Sequence, residues 1–325
     1  MSLLAEKTAN VSSSKEMHEQ ALAEILEGLA APVKRISPKY FYDQRGSELF
    51  DEICNLPEYY PTRTEFEIME RRLPEIAALV GPRAAVIEFG AGSNAKARML
   101  LEHLETPVAY VPVEISGEYL SEQAEALARD FPGLSVIPVV ADFTKPFDLP
   151  EHPIAPERNI VFFPGSTIGN FTRAVARDLL AVMREEAKPG GALLMGVDLV
   201  KDERIVEAAY NDSRGVTARF NLNVLHHLNA GIGADFRPER FRHEAVYDAA
   251  HDRIEMRLVS LERQSVHIAG RTIEFAAGEH IVTEYSHKYS IGGFADLARQ
   301  AGLEPAAAWT DANALFSVHY LTVPS

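Results

Sequence analysis

The sequence predicts an α/β fold: a doubly wound parallel sheet with an α+β insertion. Three observations carry that expectation. Residues 84–101, AAVIEFGAGSNAKARMLL, read as an apolar strand ending in Glu88, a glycine turn at Gly90-Ala91-Gly92, and a helix with Ala95, Ala97, Met99 and Leu100. Such a Rossmann-like turn lets the backbone approach a ligand beyond the strand's carboxyl end. Apolar runs then alternate with helical patterns up to Val200, nearly unbroken, as strands buried on both faces require. After Val200 the texture changes to helical spacing and then to alternating strands.

In order along the chain, residues 1–15 read as a lead-in. From about Lys15 to Ala30, the recurrence of Leu22, Ile25, Leu26 and Leu29 predicts an amphipathic helix. Residues 37–68 are dense in rings (Tyr40, Phe41, Tyr42, Phe50, Tyr59, Tyr60), which serve as core or, through tyrosine hydroxyls, as pocket walls. Ser47 is a candidate cap for a short helix with Leu49, Phe50 and Ile53. Thr64-x-x-Glu67 reads as a capping box opening a helix to about Val80. Strands follow at 84–89, 108–114, 135–143, the start of 159–170, and 192–199, with helices at 117–130 and 173–187. Repeated βα units imply a parallel sheet with right-handed crossovers. Residues 201–229 look helical and 242–286 antiparallel, with Ile254, Met256 and Leu258 on one strand face and a turn at Ala269-Gly270. Ser290 opens a helix with Phe294, Leu297 and Ala298, after which AAAWT and ALFSVHYLTV return to the main sheet as strands. Residues 201–286 therefore read as an insertion, with the N-terminal segment packed on it.

The totals bound the function. The 325 residues suit one large domain or two, and 46% apolar residues supply a sizeable core. No run approaches the ~20 apolar residues of a membrane span. The N-terminus lacks the basic start and apolar block of a secretory signal, and a single cysteine, Cys54, fits a reducing cytoplasm. A net charge of −15 argues against a nucleic-acid partner and for a small polar substrate. The chain is expected to work as a monomer. No metal is expected: the eleven histidines lack ligand spacing, His226 and His227 are adjacent, and Tyr247 stands where HExxH after His243-Glu244 needs histidine. There is no G-x-S-x-G elbow, and GSTIGN lacks the Walker lysine.

Gly90-x-Gly92-x-x-Ala95, with Glu114 closing the next strand, fits two cofactors. NAD would set its pyrophosphate at the helix N-terminus and its ribose on Glu114. S-adenosylmethionine uses the same turn for its amino-acid part and the same carboxylate for its ribose hydroxyls. Three features favour the second. Glu88 precedes the turn and suits a cofactor carrying an amine and a sulfonium. Asp142 and Phe143 follow the third strand, where a carboxylate faces the adenine amino group and a ring lies beside the base. Lys188-Pro-Gly-Gly191 precedes the fifth strand. The pattern predicts a class I S-adenosylmethionine-dependent methyltransferase ahead of a dehydrogenase. Asp142 also reads as a turn residue and Glu114 as an exposed strand end. Lys96 is placed to pair with a carboxylate in solvent or to reach the cofactor's carboxylate.

KYFYDQRGSELFDEI, LPEYYPTRTE, EFGAGSNAK, VPVEIS, ADF, FFPGSTIGN, AYNDSRGVTARFN, IEMRL and TEYSHKY, in that order from about Ser37 to Tyr289, resemble the histidine-specific N-methyltransferases of ergothioneine biosynthesis. The resemblance implies a methyltransferase domain of residues 64–200 plus 288–325 and a substrate-binding domain of residues 12–63 plus 201–287. It implies that Glu88, Gly90, Gly92, Lys96, Glu114, Asp142 and Phe143 bind S-adenosylmethionine. It places the α-carboxylate and amine of L-histidine with Asn170 and Tyr210, and the pocket walls with Tyr42, Phe50, Tyr59 and Gly165. Glu284 and Ser286 would hydrogen-bond the imidazole, with Met256 beside it. Tyr42, Tyr59, Asn170 and Tyr210 are the implied catalytic residues. Glu114 departs from the family, where aspartate is expected, and Tyr60 competes with Tyr59. The implied reaction is trimethylation of the α-amine to hercynine. The alternatives are the same scaffold acting on another amino acid such as tryptophan, an NAD-dependent dehydrogenase, and a non-catalytic cofactor-binding protein.

Overall fold

The computed structural model describes residues 18–324 except 116, 146, 151 and 152. The expected lead-in and the first residues of the helix expected from Lys15 lie outside the described residues. In chain order the elements are α1 (18–30), β1 (Lys34–Arg35), α2 (Gln44–Cys54), α3 (Tyr60–Val80), β2 (Ala84–Phe89), α4 (Ala95–His103), β3 (Ala109–Glu114), α5 (Gly117–Asp130), β4 (Ser135–Val136), β5 (Val139–Val140) and β6 (Arg158–Phe163). They continue with α6 (Arg173–Ala187), β7 (Ala192–Asp198), α7 (Glu203–Tyr210), α8 (Val216–Ile232), β8 (Phe241–Asp248), β9 (Arg253–Ser260), β10 (Gln264–Ile268), β11 (Arg271–Phe275), β12 (His280–His287), α9 (Ile291–Gln300), β13 (Glu304–Thr310) and β14 (Phe316–Thr322). They fall into two units.

The larger unit comprises Leu56–Val206, Asp248–Arg253 and Ser286–Ser325. Its sheet runs β13-β14-β7-β6-β2-β3-β4, with β5 also on β3. Strands β2 to β7 pair in parallel, whereas β14 lies antiparallel to both β7 and β13. Register explains why the strands read as unbroken apolar runs. Val111, Ile87, Val161, Leu193 and Leu321 line up across five strands and join one core with α6 and α9. Their neighbours Tyr110, Val86, Ile160 and Ala192 line up on the other face, in a second core with α3 and α4. A strand covered on both sides has no polar face to alternate with.

The smaller unit comprises the chain up to Asn55 together with Glu207–Tyr247 and Ile254–Tyr285. A four-stranded sheet, β1-β12-β9-β8, accounts for most of its strands. The hairpin β10–β11 closes through Ala269 (φ 47°) and Gly270 (φ 79°), the paired positive φ values of a tight hairpin turn. Phe41 and Phe220 stack with ring centroids 4.5 Å apart, close to where α2 meets α8.

Four local expectations are corrected. Ser47 lies inside α2; Asp43 caps it, accepting from the Gly46 amide at 2.7 Å. Thr64 does not open α3, which begins a turn earlier with Pro61 in its first turn, and the Thr64 hydroxyl donates to the Tyr60 carbonyl at 2.8 Å. α3 is unbroken from Tyr60, and the two units part at Asn55/Leu56. The strand expected over 135–143 is split at Pro138, which has no amide hydrogen to give the ladder. The helical stretch 201–229 is two helices. Between them Asp212 accepts from the Val216 and Thr217 amides, at 2.9 and 2.7 Å, and starts α8 afresh.

Candidate active site

The parallel strands of the larger unit end along one edge of its sheet, where open α/β sheets bind ligands. Glu88, near the end of β2, is 2% exposed and accepts a hydrogen bond from the Tyr110 hydroxyl. Burial pushes its carboxyl up to about 7; the Tyr110 hydrogen bond and Lys96 oppose this, while Glu65 and Glu114 add to it. The turn follows. The Gly90 and Ala91 amides donate to the Val113 carbonyl at 2.9 and 3.1 Å. Gly90 has φ 73°, and a Cβ there would sit 3.4 Å from the Phe143 ring. A Cβ on Gly92 would meet only open space.

Lys96, in the first turn of α4, pairs with Glu65, which is 1% exposed and also accepts from the Gly165 amide at 2.9 Å. Glu114, partly exposed, accepts from the Ile115 amide at 2.7 Å. Asp142 accepts from the amide and hydroxyl of Thr144, so the turn role open in the sequence is one that it fills. Phe143 packs between Phe89 and Phe163, with ring centroids 5.7 and 5.6 Å away. Asn170 ends the short 3-10 turn Thr167–Asn170 after β6. The structure thus brings the cofactor candidates, Gly165 and Asn170 to loops and ends on one edge.

A second cluster, absent from the sequence reading, closes β7. Asp198, 1% exposed, accepts from the Tyr60 hydroxyl at 2.9 Å, from Lys201 at 2.5 Å and from Lys288 at 2.7 Å. Its own amide donates to Ser166 Oγ at 2.8 Å. Burial works against the Asp198 charge, but Lys288 and Lys201 outweigh it and hold the carboxyl below its usual range. Burial brings Lys201 down to about 8, against the pull of Asp198. Lys288 also donates to Ser286 Oγ at 2.8 Å.

The remaining candidates divide between the units. Tyr59 is the N-cap residue of α3 in the larger unit and is 9% exposed; Ser286 belongs there as well. In the smaller unit, Tyr42 meets Phe50 and Phe220 edge-on, with centroids 5.8 and 5.9 Å apart. Tyr210 ends α7, its carbonyl accepting from His243 Nε2 at 2.9 Å; His243 Nδ1 in turn accepts from Asn221 at 2.8 Å. Met256 on β9 and Glu284 on the neighbouring β12 are both buried.

Glu65, Tyr110, Asp198, Lys201 and Lys288 carry this geometry and were missed. A carboxylate closing the fifth strand, as Glu88 nearly closes the first, was a signal for Asp198. Tyr110 and the lysines had none: they are single residues in apolar or loop stretches. Among the described residues no group of three or more His, Cys, Asp or Glu side chains could hold a metal, and no helix is long and apolar enough to cross a membrane.

A cradle whose glycine leaves open space, carboxylates ending β2 and β3 and an acid–aromatic pair after β5 fit a ligand bearing cationic groups, ribose hydroxyls and a purine. On a sheet with one antiparallel strand between two others, they define a class I S-adenosylmethionine-dependent methyltransferase. The chain belongs to the histidine-specific, S-adenosylmethionine-dependent methyltransferases, whose family model matches residues 21–323. It is 38% identical over 308 residues to a histidine N-alpha-methyltransferase of Mycolicibacterium smegmatis, covering 93% of this chain and 95% of that one. It is 40% identical over 294 residues to the protein of the same name from Mycobacterium tuberculosis, covering 89% and 90%. Ergothioneine biosynthesis protein 1 of Neurospora crassa is 30% identical over 301 residues, 86% of this chain and 32% of that longer protein.

Proposed function

We propose that this chain transfers methyl groups from S-adenosylmethionine to the α-amine of L-histidine, three in succession, giving hercynine for ergothioneine biosynthesis. The observation that carries the reading is the match to the histidine-specific family over residues 21–323. The names of the two mycobacterial relatives support the substrate, and that of the fungal relative supports the pathway.

In this reading Gly90 and Gly92 admit the cofactor to the turn, and Lys96, held by Glu65, meets its carboxylate. Glu88 offers negative charge to its amine. Glu114 accepts from the ribose hydroxyls, a longer acid doing the work of aspartate, and Asp142 and Phe143 hold the adenine. When bound, S-adenosylmethionine supplies a methyl group on a sulfonium. The α-amine of histidine must be neutral to attack; the methyl group would pass to its lone pair as the S–C bond breaks, with a proton lost to solvent after each of the first two transfers and the charge retained as a quaternary ammonium after the third. The chain's contribution is placement, which turns an encounter of two reactants into a step with high effective molarity. Asn170 and Tyr210 hold the α-carboxylate and amine, Gly165 lines the pocket, and Tyr42, Phe50 and Tyr59 wall it. Commitment of the Tyr60 hydroxyl to Asp198 supports Tyr59 over Tyr60 for that role. Aromatic faces tolerate the cationic product. Glu284 and Ser286 bond the imidazole with Met256 alongside, so an apolar analogue would leave buried polar groups unmatched. The substrate-domain role falls to the smaller unit, and the chain works as a cytoplasmic monomer.

Mass spectrometry of the purified protein with S-adenosylmethionine and L-histidine tests the reading. A product heavier by three methylene units, formed with S-adenosylhomocysteine, is the expected result. Cofactor binding with product only from another amino acid would overturn the substrate.

A further inference from the structure

Lys288 is 0% exposed, a place where an ammonium persists only when paired. Its Nζ lies 2.7 Å from Asp198 Oδ2 and 2.8 Å from Ser286 Oγ. Asp198 is fixed in turn by Ser166, Tyr60 and Lys201. An ammonium has donors and no acceptor, so Ser286 Oγ accepts in this bond and its own proton is directed away from Lys288. Ser286 and Glu284 stand two residues apart on β12, so both leave the strand toward the same side.

We infer that Lys288 is a positioning residue for imidazole recognition, holding Ser286 as a hydrogen-bond donor toward the substrate ring. The inference rests on the reading that Ser286 meets that ring. A serine fixed as donor needs a ring nitrogen with a lone pair, while the Glu284 carboxylate takes the ring N–H. The pair therefore selects neutral imidazole, one nitrogen donating and one accepting, and discriminates against imidazolium, whose nitrogens both donate. Without Lys288 the Ser286 hydroxyl can rotate to accept, and that discrimination relaxes.

The test is calorimetry of L-histidine and of S-adenosylmethionine binding across pH, with wild type, Lys288→Met, Ser286→Ala and the double variant. Because Lys288→Met leaves Asp198 short of a partner, the set is repeated with Asp198→Asn, which removes the buried charge. Lys288→Met is expected to weaken histidine binding about tenfold, with cofactor affinity unchanged and no further loss in the double variant beyond Ser286→Ala. Wild-type affinity should fall as the pH drops through the ring's ordinary pKa of about 6.5, and Lys288→Met should flatten that fall. Independent, multiplying losses in the double variant, or an unchanged pH profile, would overturn the inference. If wild type binds the cofactor but not histidine, the functional reading fails with it. If Ser286→Ala weakens histidine binding and Lys288→Met does not, the inference fails alone.

Discussion

The ends of β2 and β7, two strands of one sheet, carry different charge balances. Beside β2 one lysine, Lys96, stands among Glu65, Glu88 and Glu114, and Glu88 is pushed up to about 7, by burial first. At the end of β7 Asp198 stands between Lys201 and Lys288, Asp311 also acts on Lys201, and Lys201 is brought down to about 8, again by burial first. The first end has spare negative charge waiting for a cation. The second is balanced, Asp198 and Asp311 against Lys201 and Lys288. A cofactor bearing an ammonium and a sulfonium suits the first, where its charge would help Glu88 ionise. Burial of ionisable groups thus leaves one end acidic and the other internally paired.

The sharpest way to break this comparison is at Asp198. Asp198→Ala leaves the buried Lys288 and Lys201 without their shared counter-charge, and loss of one partner of a buried pair costs about 3–5 kcal/mol. Urea unfolding should show that drop, with Asp198→Asn losing less because it keeps hydrogen-bond acceptance. A change near that of a surface ion pair would mean that the second end is not built around this carboxylate.

Glu88 gives the next largest effect, and its sign is fixed by the direction of its shift. Its folded pKa, about 7, lies above the ordinary 4.5, so the folded chain binds its proton more tightly than the unfolded chain does. The resulting stability is fully present below pH 4.5 and is lost as pH rises through about 7, a difference of about 3 kcal/mol. Glu88→Gln should remove that slope from the stability–pH curve of the ligand-free protein. Cofactor binding near pH 7 should also release a proton, read as a dependence of the calorimetric heat on the buffer's ionisation enthalpy. An identical slope in the variant would place the titration elsewhere.

Glu284→Ala moves the question to recognition. Removing a charged acceptor costs about 1.5–3 kcal/mol, roughly tenfold to a hundredfold in histidine affinity, with cofactor affinity unchanged. Equal losses of both ligands by calorimetry would refute the assigned role.

The two strand ends differed as much in legibility as in charge. Glu88, Gly90, Gly92 and Lys96 sit within one local run, and strand, turn and helix follow one another there in the chain. The cluster at β7 is assembled from Tyr60, Asp198, Lys201, Ser286 and Lys288, which no local period connects. Thr64-x-x-Glu67 misled for the opposite reason: the local pattern was real, but Pro61 had already opened α3 a turn earlier. The buried strands were legible because both faces are covered, whereas the break at Pro138 depends on where a ladder needs an amide. Met256 sits in a strand whose alternation, Arg253 to Leu258, shows which way it faces; the roles of Met256, Glu284 and Ser286 came from the family resemblance.

The smallest effect separates structure from ligand at the first strand end. Gly92 has no positive φ, and a Cβ there would meet nothing within 4 Å, so the fold does not require glycine. Gly92→Ala should therefore leave stability unchanged or raise it by about 0.4–1 kcal/mol, because alanine restricts the unfolded chain. If the open space is the cradle for the cofactor, the same methyl group should weaken S-adenosylmethionine binding. Gly90→Ala provides the contrast, since φ 73° and the Phe143 ring 3.4 Å from its Cβ make the fold itself resist substitution. Denaturation and cofactor titration of both variants would then part: Gly92→Ala losing affinity alone, Gly90→Ala losing stability as well. Full affinity in Gly92→Ala would remove this turn position from the cofactor's path.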